Sequence, residues 1–302
     1  DILTKYKPEA ALRCLEKINR ISTSKIEVLI YGESPNQDML RRWHEGAQQI
    51  APKLKIHWIE GKRRELATTV RWASDIFLSL ADNFQETFGI PPLEAMASEL
   101  PCVVTDWNGY RDTVTTISES RNPSGFRIAT SIIKGLGETE SRHLLNGTMD
   151  YSIAAGRLSQ GVAVDQEELE IALTKLINSP ELRRWMGENG LKRVKSSFNW
   201  RTIIQSWEDL DLELNKRRQH GIKNNLHTPP HMPHWMPAYS SSFGKFATRI
   251  IPNTWNPVIP TDAEHCQFVD NAFNDWDQDL LLEKGSPRHL GWCIKQGLLD
   301  YP

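Results

Sequence analysis

Residues 75–105 have the sequence DIFLSLADNFQETFGIPPLEAMASELPCVVT, and this stretch decides the fold. Its two ends, 75–80 and 101–105, are short apolar runs of the kind that forms buried strands. Between them lie a loop that contains Gly89 and a short helix opened by the proline pair 91–92, where a missing N–H costs little. Strand, helix and strand in so short a stretch predict parallel pairing, because a parallel pair needs such a crossover.

The same alternation of strand and helix occupies the chain upstream of this stretch. The predicted helices are 8–20, 36–50, 65–73 and 91–98, and the predicted strands before residue 75 are 26–31 and 54–59. Such alternation predicts an α/β fold, a Rossmann-like parallel sheet with helices on both faces. Ligands bind these sheets beyond the carboxyl ends of the strands. The loop after strand 75–80 therefore lies at the edge where a ligand is expected.

Downstream, the pattern first loosens and then becomes helical again. We predict a strand near 126–128, a helix within 141–155, and further helices at 165–178, 180–196 and 200–216. Prolines crowd residues 226–260, which argues against regular helices there, and some helical character returns in 261–302. The predicted domains are a Rossmann-like domain over 1–218 and a Pro-rich extension over 219–302 that packs on it or is tethered to it.

Composition excludes several classes of protein. The net charge of −2 argues against a nucleic-acid binder that relies on a basic surface, and no apolar run is long enough to form a transmembrane segment. Four widely spaced cysteines predict free thiols in a reducing compartment. The chain starts without a signal-peptide pattern. We expect a cytoplasmic protein.

Two acids frame the centre of the deciding stretch. Glu86 lies on the predicted loop, and Glu94 lies in the first turn of the predicted helix. The first N–H groups of a helix have no partner within it and favour an anion. The spacing alone also fits a capping acid followed by a surface acid, so it needs support from the surrounding sequence.

That support is a resemblance. The run ETFGIPPLEAMASELPCVVTD resembles the E-x7-E signature of retaining glycosyltransferases of family 4, which have the GT-B fold. The likeness extends over about residues 2–215. It includes the strands ending in glycine in IEVLIYG and LKIHWIEG, and the closing helices that end in FNW. The fold that it implies is the C-terminal, nucleotide-sugar-binding half of a GT-B enzyme.

The resemblance implies a role for each motif residue. Glu94 would accept hydrogen bonds from the ribose diol of a nucleoside diphosphate sugar, a charge-assisted clamp. Glu86 would act at the donor sugar as the catalytic residue, stabilising positive charge at the anomeric carbon. The backbone N–H groups of Phe88, Gly89 and Ile90 would approach the diphosphate.

Further contacts follow from the same likeness. Lys5 takes the position of a diphosphate-binding lysine, with Lys7 as the neighbouring candidate. Gly61 and Arg63 would lie near the nucleotide base, although the basic cluster 62–64 also fits an ordinary helix-entry face. No metal and no cofactor are predicted, because the helix dipole and basic side chains would neutralise the leaving diphosphate.

The chain also departs from the family pattern. The N-terminal Rossmann domain, which would hold the acceptor, precedes this half in the family and is missing here, together with the first strand and an expected arginine. The Gly-Gly after strand 101–105 is replaced by the sequence WNGY at 107–110. The histidines at 227, 231 and 234 fit a metal site less well than an extended arm, because prolines separate them.

Two functions therefore remain open. The first is transfer of a hexose, with retention of configuration, to an acceptor hydroxyl on a sugar, lipid or protein. The alternative is a non-catalytic nucleotide-sugar-binding or regulatory module, or an inert fragment, that lacks its acceptor domain.

Overall fold

The computed structural model describes residues 9–34, 36–224 and 242–252. Its helices are α1 (Glu9–Ile21), α2 (Gln37–Ile50), α3 (Leu66–Trp72), α4 (Ile90–Ala97), α5 (Tyr110–Thr113), α6 (Glu138–Leu145), α7 (Tyr151–Gln160), α8 (Gln166–Asn178), α9 (Pro180–Ser197) and α10 (Trp200–Lys223). Its strands are β1 (Glu27–Gly32), β2 (Lys55–Glu60), β3 (Phe77–Ser79), β4 (Cys102–Thr105), β5 (Gly125–Ile128), β6 (Thr130–Ile133), β7 (Val162–Val164) and β8 (Arg249–Ile251). The predicted α/β class is confirmed.

The strands form three small sheets. The first sheet consists of β1 and β2, and the second has the order β3–β4–β5. All strand pairs in these two sheets are parallel. The third sheet has the order β7–β6–β8 and is mixed, because β6 runs antiparallel to β7 and parallel to β8. The sequence predicted neither β6, β7 nor β8. They form a sheet of their own, in which β6 pairs with two strands from later parts of the chain.

Strand β4 is covered on both faces, which explains its unbroken apolar sequence. Val103 belongs to a core with α1 and α8, formed among others by Leu12, Ile18 and Leu173. Its neighbours Cys102 and Val104 point the opposite way, into a core with Met96 of α4 and with Tyr110. Successive side chains of a strand alternate between faces, so a fully buried strand shows no polar alternation.

The downstream half differs from expectation in two places. The single helix predicted within 141–155 is two helices, α6 and α7, separated by Gly147 at φ 66° and begun again by Asp150, which accepts a hydrogen bond from the Ser152 N–H. Helix α10 continues to Lys223, beyond the predicted end at 216 and past the proposed domain boundary at 218. The division into two domains stays a prediction.

The described part of the Pro-rich region, residues 242–252, contains a 3₁₀ turn (Gly244–Phe246) followed by β8. β8 pairs with β6 along its edge, so residues 249–251 are part of the folded body of the protein. Within the described ranges, no helix is both long and apolar enough to cross a membrane.

Candidate functional site

Residues 81–89, which we call the motif loop, leave β3 at its carboxyl end. The loop is anchored at Asn83, whose side chain is 1% exposed. The Asn83 side-chain oxygen accepts the Gln85 N–H at 3.0 Å, and its backbone carbonyl accepts the Glu86 N–H at 3.1 Å and the indole N–H of Trp107 at 3.0 Å. The loop is therefore held by buried hydrogen bonds before it reaches the first acid.

Gly89 turns the motif loop into α4. It has φ 82°, a left-handed conformation that glycine adopts without strain, and it caps the helix. A Cβ there would lie 2.6 Å from Cδ1 of the buried Tyr110 ring, so the position has no room for a side chain. Among the described residues, no acceptor binds the backbone N–H groups of Phe88, Gly89 and Ile90. An anion is the kind of ligand that such groups bind.

Glu94 lies one position further along α4 than predicted. The helix starts at Ile90, because the left-handed Gly89 caps it there, and Glu94 is its fifth residue rather than part of the first turn. The carboxylate is half exposed, and Oε2 accepts a hydrogen bond from Nη1 of Arg71 at 3.2 Å. Its other oxygen, Oε1, has no hydrogen-bond partner within the described residues.

Arg71 was missed by the sequence analysis. It lies on α3, 23 residues before Glu94, with only 19% of its side chain exposed. A partly exposed ion pair of this kind stabilises the fold by at most about 1 kcal/mol, so the contact matters more for where Glu94 points. The signal available in the sequence was one basic residue on the helix that precedes β3, which is too common to single out.

Glu86 is half-buried at the middle of the motif loop. Its backbone carbonyl accepts a hydrogen bond from the Asn108 side-chain amide at 2.9 Å. The two predicted acids thus belong to one continuous segment, and the N–H groups of 88–90 lie between them along the chain.

The loop after β4, residues 106–110, fastens the motif loop from the other side. Trp107 is fully buried and Asn108 has φ 36°, an unusual value for a residue with a side chain. A Cβ on Gly109 would lie 2.5 Å from the Cα of Phe88, so the two loops touch backbone to backbone. The sequence WNGY at 107–110 places a glycine at this contact.

An ionic cluster surrounds Asp106, the first residue of that loop. Asp106 is paired with Arg111 at 3.0 Å and Arg127 at 3.2 Å, and the Thr248 hydroxyl donates to its Oδ2 at 2.8 Å. Partial burial acts to raise the pKa of Asp106, but hydrogen bonds from Arg111 and Thr248 and the charges of Arg111 and Arg127 outweigh it and lower that pKa below its ordinary value. Asp106 is therefore held as a carboxylate.

The other predicted contacts lie elsewhere. Gly61 follows the carboxyl end of β2, where its N–H donates to the Gly32 carbonyl at 2.8 Å, and Arg63 is exposed beside Glu65 at 3.2 Å. No hydrogen bond or ion pair among the described residues joins Gly61 or Arg63 to the motif loop. Lys5, Lys7 and the histidines at 227–234 lie outside the described residues. Within the described ranges, no group of three or more His, Cys, Asp or Glu side chains is arranged to hold a metal.

Comparison with known proteins gives one family match. Residues 2–130 match the model of the family described as glycosyl transferases group 1, which is less than half of the chain and includes both acids. Among solved structures, the chain is similar to sucrose-phosphate synthase from Thermosynechococcus elongatus, with a TM-score of 0.45 and 18% identity over 70% of this chain and 44% of that one. The chain thus spans less than half the length of that synthase. A search of curated proteins finds no significant match.

Proposed function

We propose that this chain is the donor-binding half of a retaining GT-B glycosyltransferase of family 4, and that the complete enzyme transfers a hexose from a nucleoside diphosphate sugar to an acceptor hydroxyl. The observation that carries the proposal is the segment from Glu86 to Glu94, where two carboxylates bracket three backbone N–H groups that have no acceptor among the described residues. The segment lies inside the residues that match the group 1 glycosyl transferases.

The charges of this segment suit the donor. The N–H groups of 88–90 at the start of α4 would receive the diphosphate, whose negative charge the helix dipole favours. Glu94, with Oε2 on Arg71, would offer Oε1 to the ribose hydroxyls. Glu86 would then face the sugar, where a carboxylate stabilises positive charge as the bond to the phosphate breaks. No metal or cofactor is needed in this proposal.

The acceptor and its binding surface would belong to a partner domain of the same GT-B architecture. In the proposed reaction the leaving phosphate helps to deprotonate the acceptor hydroxyl on the same face of the sugar. The protein's contribution is then orientation and electrostatic stabilisation. Lys5, Gly61 and Arg63 remain proposed contacts to the diphosphate and the base.

The test is a calorimetric titration of the full chain with UDP-glucose, GDP-mannose and ADP-glucose. We expect one donor to bind, and EDTA to leave its affinity unchanged. Glu94→Ala should weaken binding about 10- to 100-fold, since a hydrogen bond to a charged group contributes about 1.5–3 kcal/mol. Glu45→Ala, which removes an exposed acid on α2, is the matched control and should bind like the wild type.

Two outcomes separate the alternatives. Binding without transfer, even when an N-terminal GT-B domain is supplied, would identify a non-catalytic module. If no donor binds, or if Glu94→Ala binds as tightly as Glu45→Ala, the proposed donor site is wrong.

A further inference from the structure

Residues 242–252, which we call the brace, are fastened to β6 by strand pairing. Ile132 lies beside Ile250 and Ile133 beside Ile251, and the Lys134 N–H donates to the Ile251 carbonyl at 2.8 Å. The brace is therefore part of the folded body, although it lies 118 residues along the chain from its partner strand.

Aromatic side chains of the brace cover the base of the motif loop. The rings of Phe243 and Phe246 lie 5.6 Å and 6.0 Å from the ring of Phe84, and Phe246 also lies 5.9 Å from Trp107. Phe84 is 5% exposed and Trp107 fully buried. These are distances at which aromatic pairs stabilise each other beyond the area that they bury. The motif loop thus rests on a core that the brace completes.

Polar contacts fix the brace against the loop 106–110. Arg111 donates from Nη1 to the Lys245 carbonyl at 2.8 Å and from Nη2 to the Phe246 carbonyl at 3.1 Å. The same guanidinium binds the Asp106 carboxylate, which also accepts the Thr248 hydroxyl. One planar donor group therefore ties the brace and this loop together with several charge-assisted bonds.

Asn108 connects the brace to Glu86. Its backbone N–H points to the Phe246 carbonyl at 3.4 Å, a weak bond, while its side-chain amide donates to the Glu86 carbonyl at 2.9 Å. Its φ of 36° is a strained value that persists only where the surroundings impose it. The buried Trp107 and the backbone contact of Gly109 with Phe88 impose it here, on the loop that the brace holds.

We propose that Asn108 is a positioning residue for Glu86, and that the brace keeps Asn108 in its working conformation. The inference rests on the role proposed above for Glu86 at the donor sugar. Catalytic and binding groups must be held to within a fraction of an ångström, and the bond from Asn108 constrains the backbone from which the Glu86 carboxylate extends. The Pro-rich extension then contributes to the donor site through residues that never touch the donor.

The test uses point variants of the full chain. Asn108→Gly removes the amide donor and tolerates the backbone conformation, and Phe246→Ala removes the aromatic contact of the brace. Lys245→Ala, an exposed side chain on the same turn, is the matched control. Hydrogen exchange is measured on peptides from the motif loop and from α8, and affinities are measured for each sugar donor and for its free diphosphate (UDP-glucose and UDP, GDP-mannose and GDP, ADP-glucose and ADP).

We expect Asn108→Gly, which loses one hydrogen bond, and Phe246→Ala, which loses the aromatic contacts of the brace, each to raise exchange in residues 84–90 about fivefold, with no change in α8. Affinity for the sugar donor should fall about fivefold relative to affinity for the free diphosphate, because the diphosphate contacts are left in place. Lys245→Ala should match the wild type in both measurements.

The failures are distinguishable. If Asn108→Gly leaves exchange in 84–90 unchanged, or raises it equally in α8, Asn108 does not position Glu86. If Phe246→Ala behaves like Lys245→Ala, the brace does not keep Asn108 in its working conformation. If the wild type binds no donor, the proposed function fails, and the exchange data still decide whether the brace orders the motif loop.

Discussion

Replacement of Gly89 by alanine tests the geometry on which the site depends. Two costs follow from the structure. A side chain at φ 82° is strained by about 1–2 kcal/mol. The new Cβ, 2.6 Å from Cδ1 of Tyr110 and closer still to Cε1, forces an adjustment that costs about 1–3 kcal/mol in a packed core. We expect Gly89→Ala to lower the free energy of unfolding by about 2–5 kcal/mol in total.

Tyr110 has little freedom to absorb the clash. It is 1% exposed, and its hydroxyl lies 3.1 Å from the Ser79 hydroxyl, so the ring cannot turn toward solvent without losing that bond. The start of α4 would have to shift instead. The N–H groups of 88–90 would shift with it, so nucleoside diphosphate affinity should fall together with stability.

Two other glycines separate the contributions. Gly147 has φ 66° with nothing within 4 Å of an added Cβ, so Gly147→Ala should cost only the strain of about 1–2 kcal/mol. Gly46, inside α2, has open space and an ordinary helical backbone, so Gly46→Ala should stabilise the protein by about 0.5–1 kcal/mol. Urea denaturation followed by circular dichroism measures all three. If Gly89→Ala costs no more than Gly147→Ala, the clash with Tyr110 is not real.

Two further predictions concern titratable groups. Burial raises the pKa of Cys14 to about 12 and also raises the pKa of Cys102. Neither thiol should therefore react with iodoacetamide at pH 8 until urea unfolds the chain. Mass spectrometry of the peptides that contain Cys14 and Cys102 measures the extent of this alkylation. The pKa of Asp106 is lowered in the folded state, so its stabilising effect is complete above the ordinary aspartate value of about 4 and is lost as pH falls through the folded value. Between pH 5 and pH 3, hydrogen exchange in 243–251 should rise more than in α8, and Asp106→Asn should abolish the difference.

The elements of the first half were predictable because they are local and strongly patterned. The stretch 75–105 contains two buried strands and the helix between them, and all three occur where the pattern indicates. The start of α4 was predicted one residue late. The proline pair marked a helix start, but Gly89 caps the helix from a left-handed conformation that the sequence does not display.

The strands β6, β7 and β8 were not predictable from the sequence. β8 pairs with β6, which lies more than a hundred residues before it, and pairing between such distant segments leaves no local pattern. A proline-rich composition argues against helices, but it gives no indication of a three-residue strand.

The site divides in the same way. Glu86, Gly89 and Glu94 follow one another along the chain, so a motif reveals them. Arg71 and Asn108 contact them from 23 and 22 residues away, through the packing of α3 and of the loop after β4. No spacing rule in one sequence announces such contacts. The groups proposed to bind the donor are thus visible in the sequence, whereas those that hold them in place appear only in the structure.

The late arrival of β8 has a consequence for synthesis of the chain. During translation, β6 and the aromatic face of Phe84 and Trp107 emerge more than a hundred residues before the brace that covers them. Until then β6, with the sequence Thr-Ser-Ile-Ile, has an open edge, and an open strand edge is a template for pairing with another chain. Chains that stall or are cleaved before residue 242 would therefore be prone to aggregate, even though both motif acids have already been made.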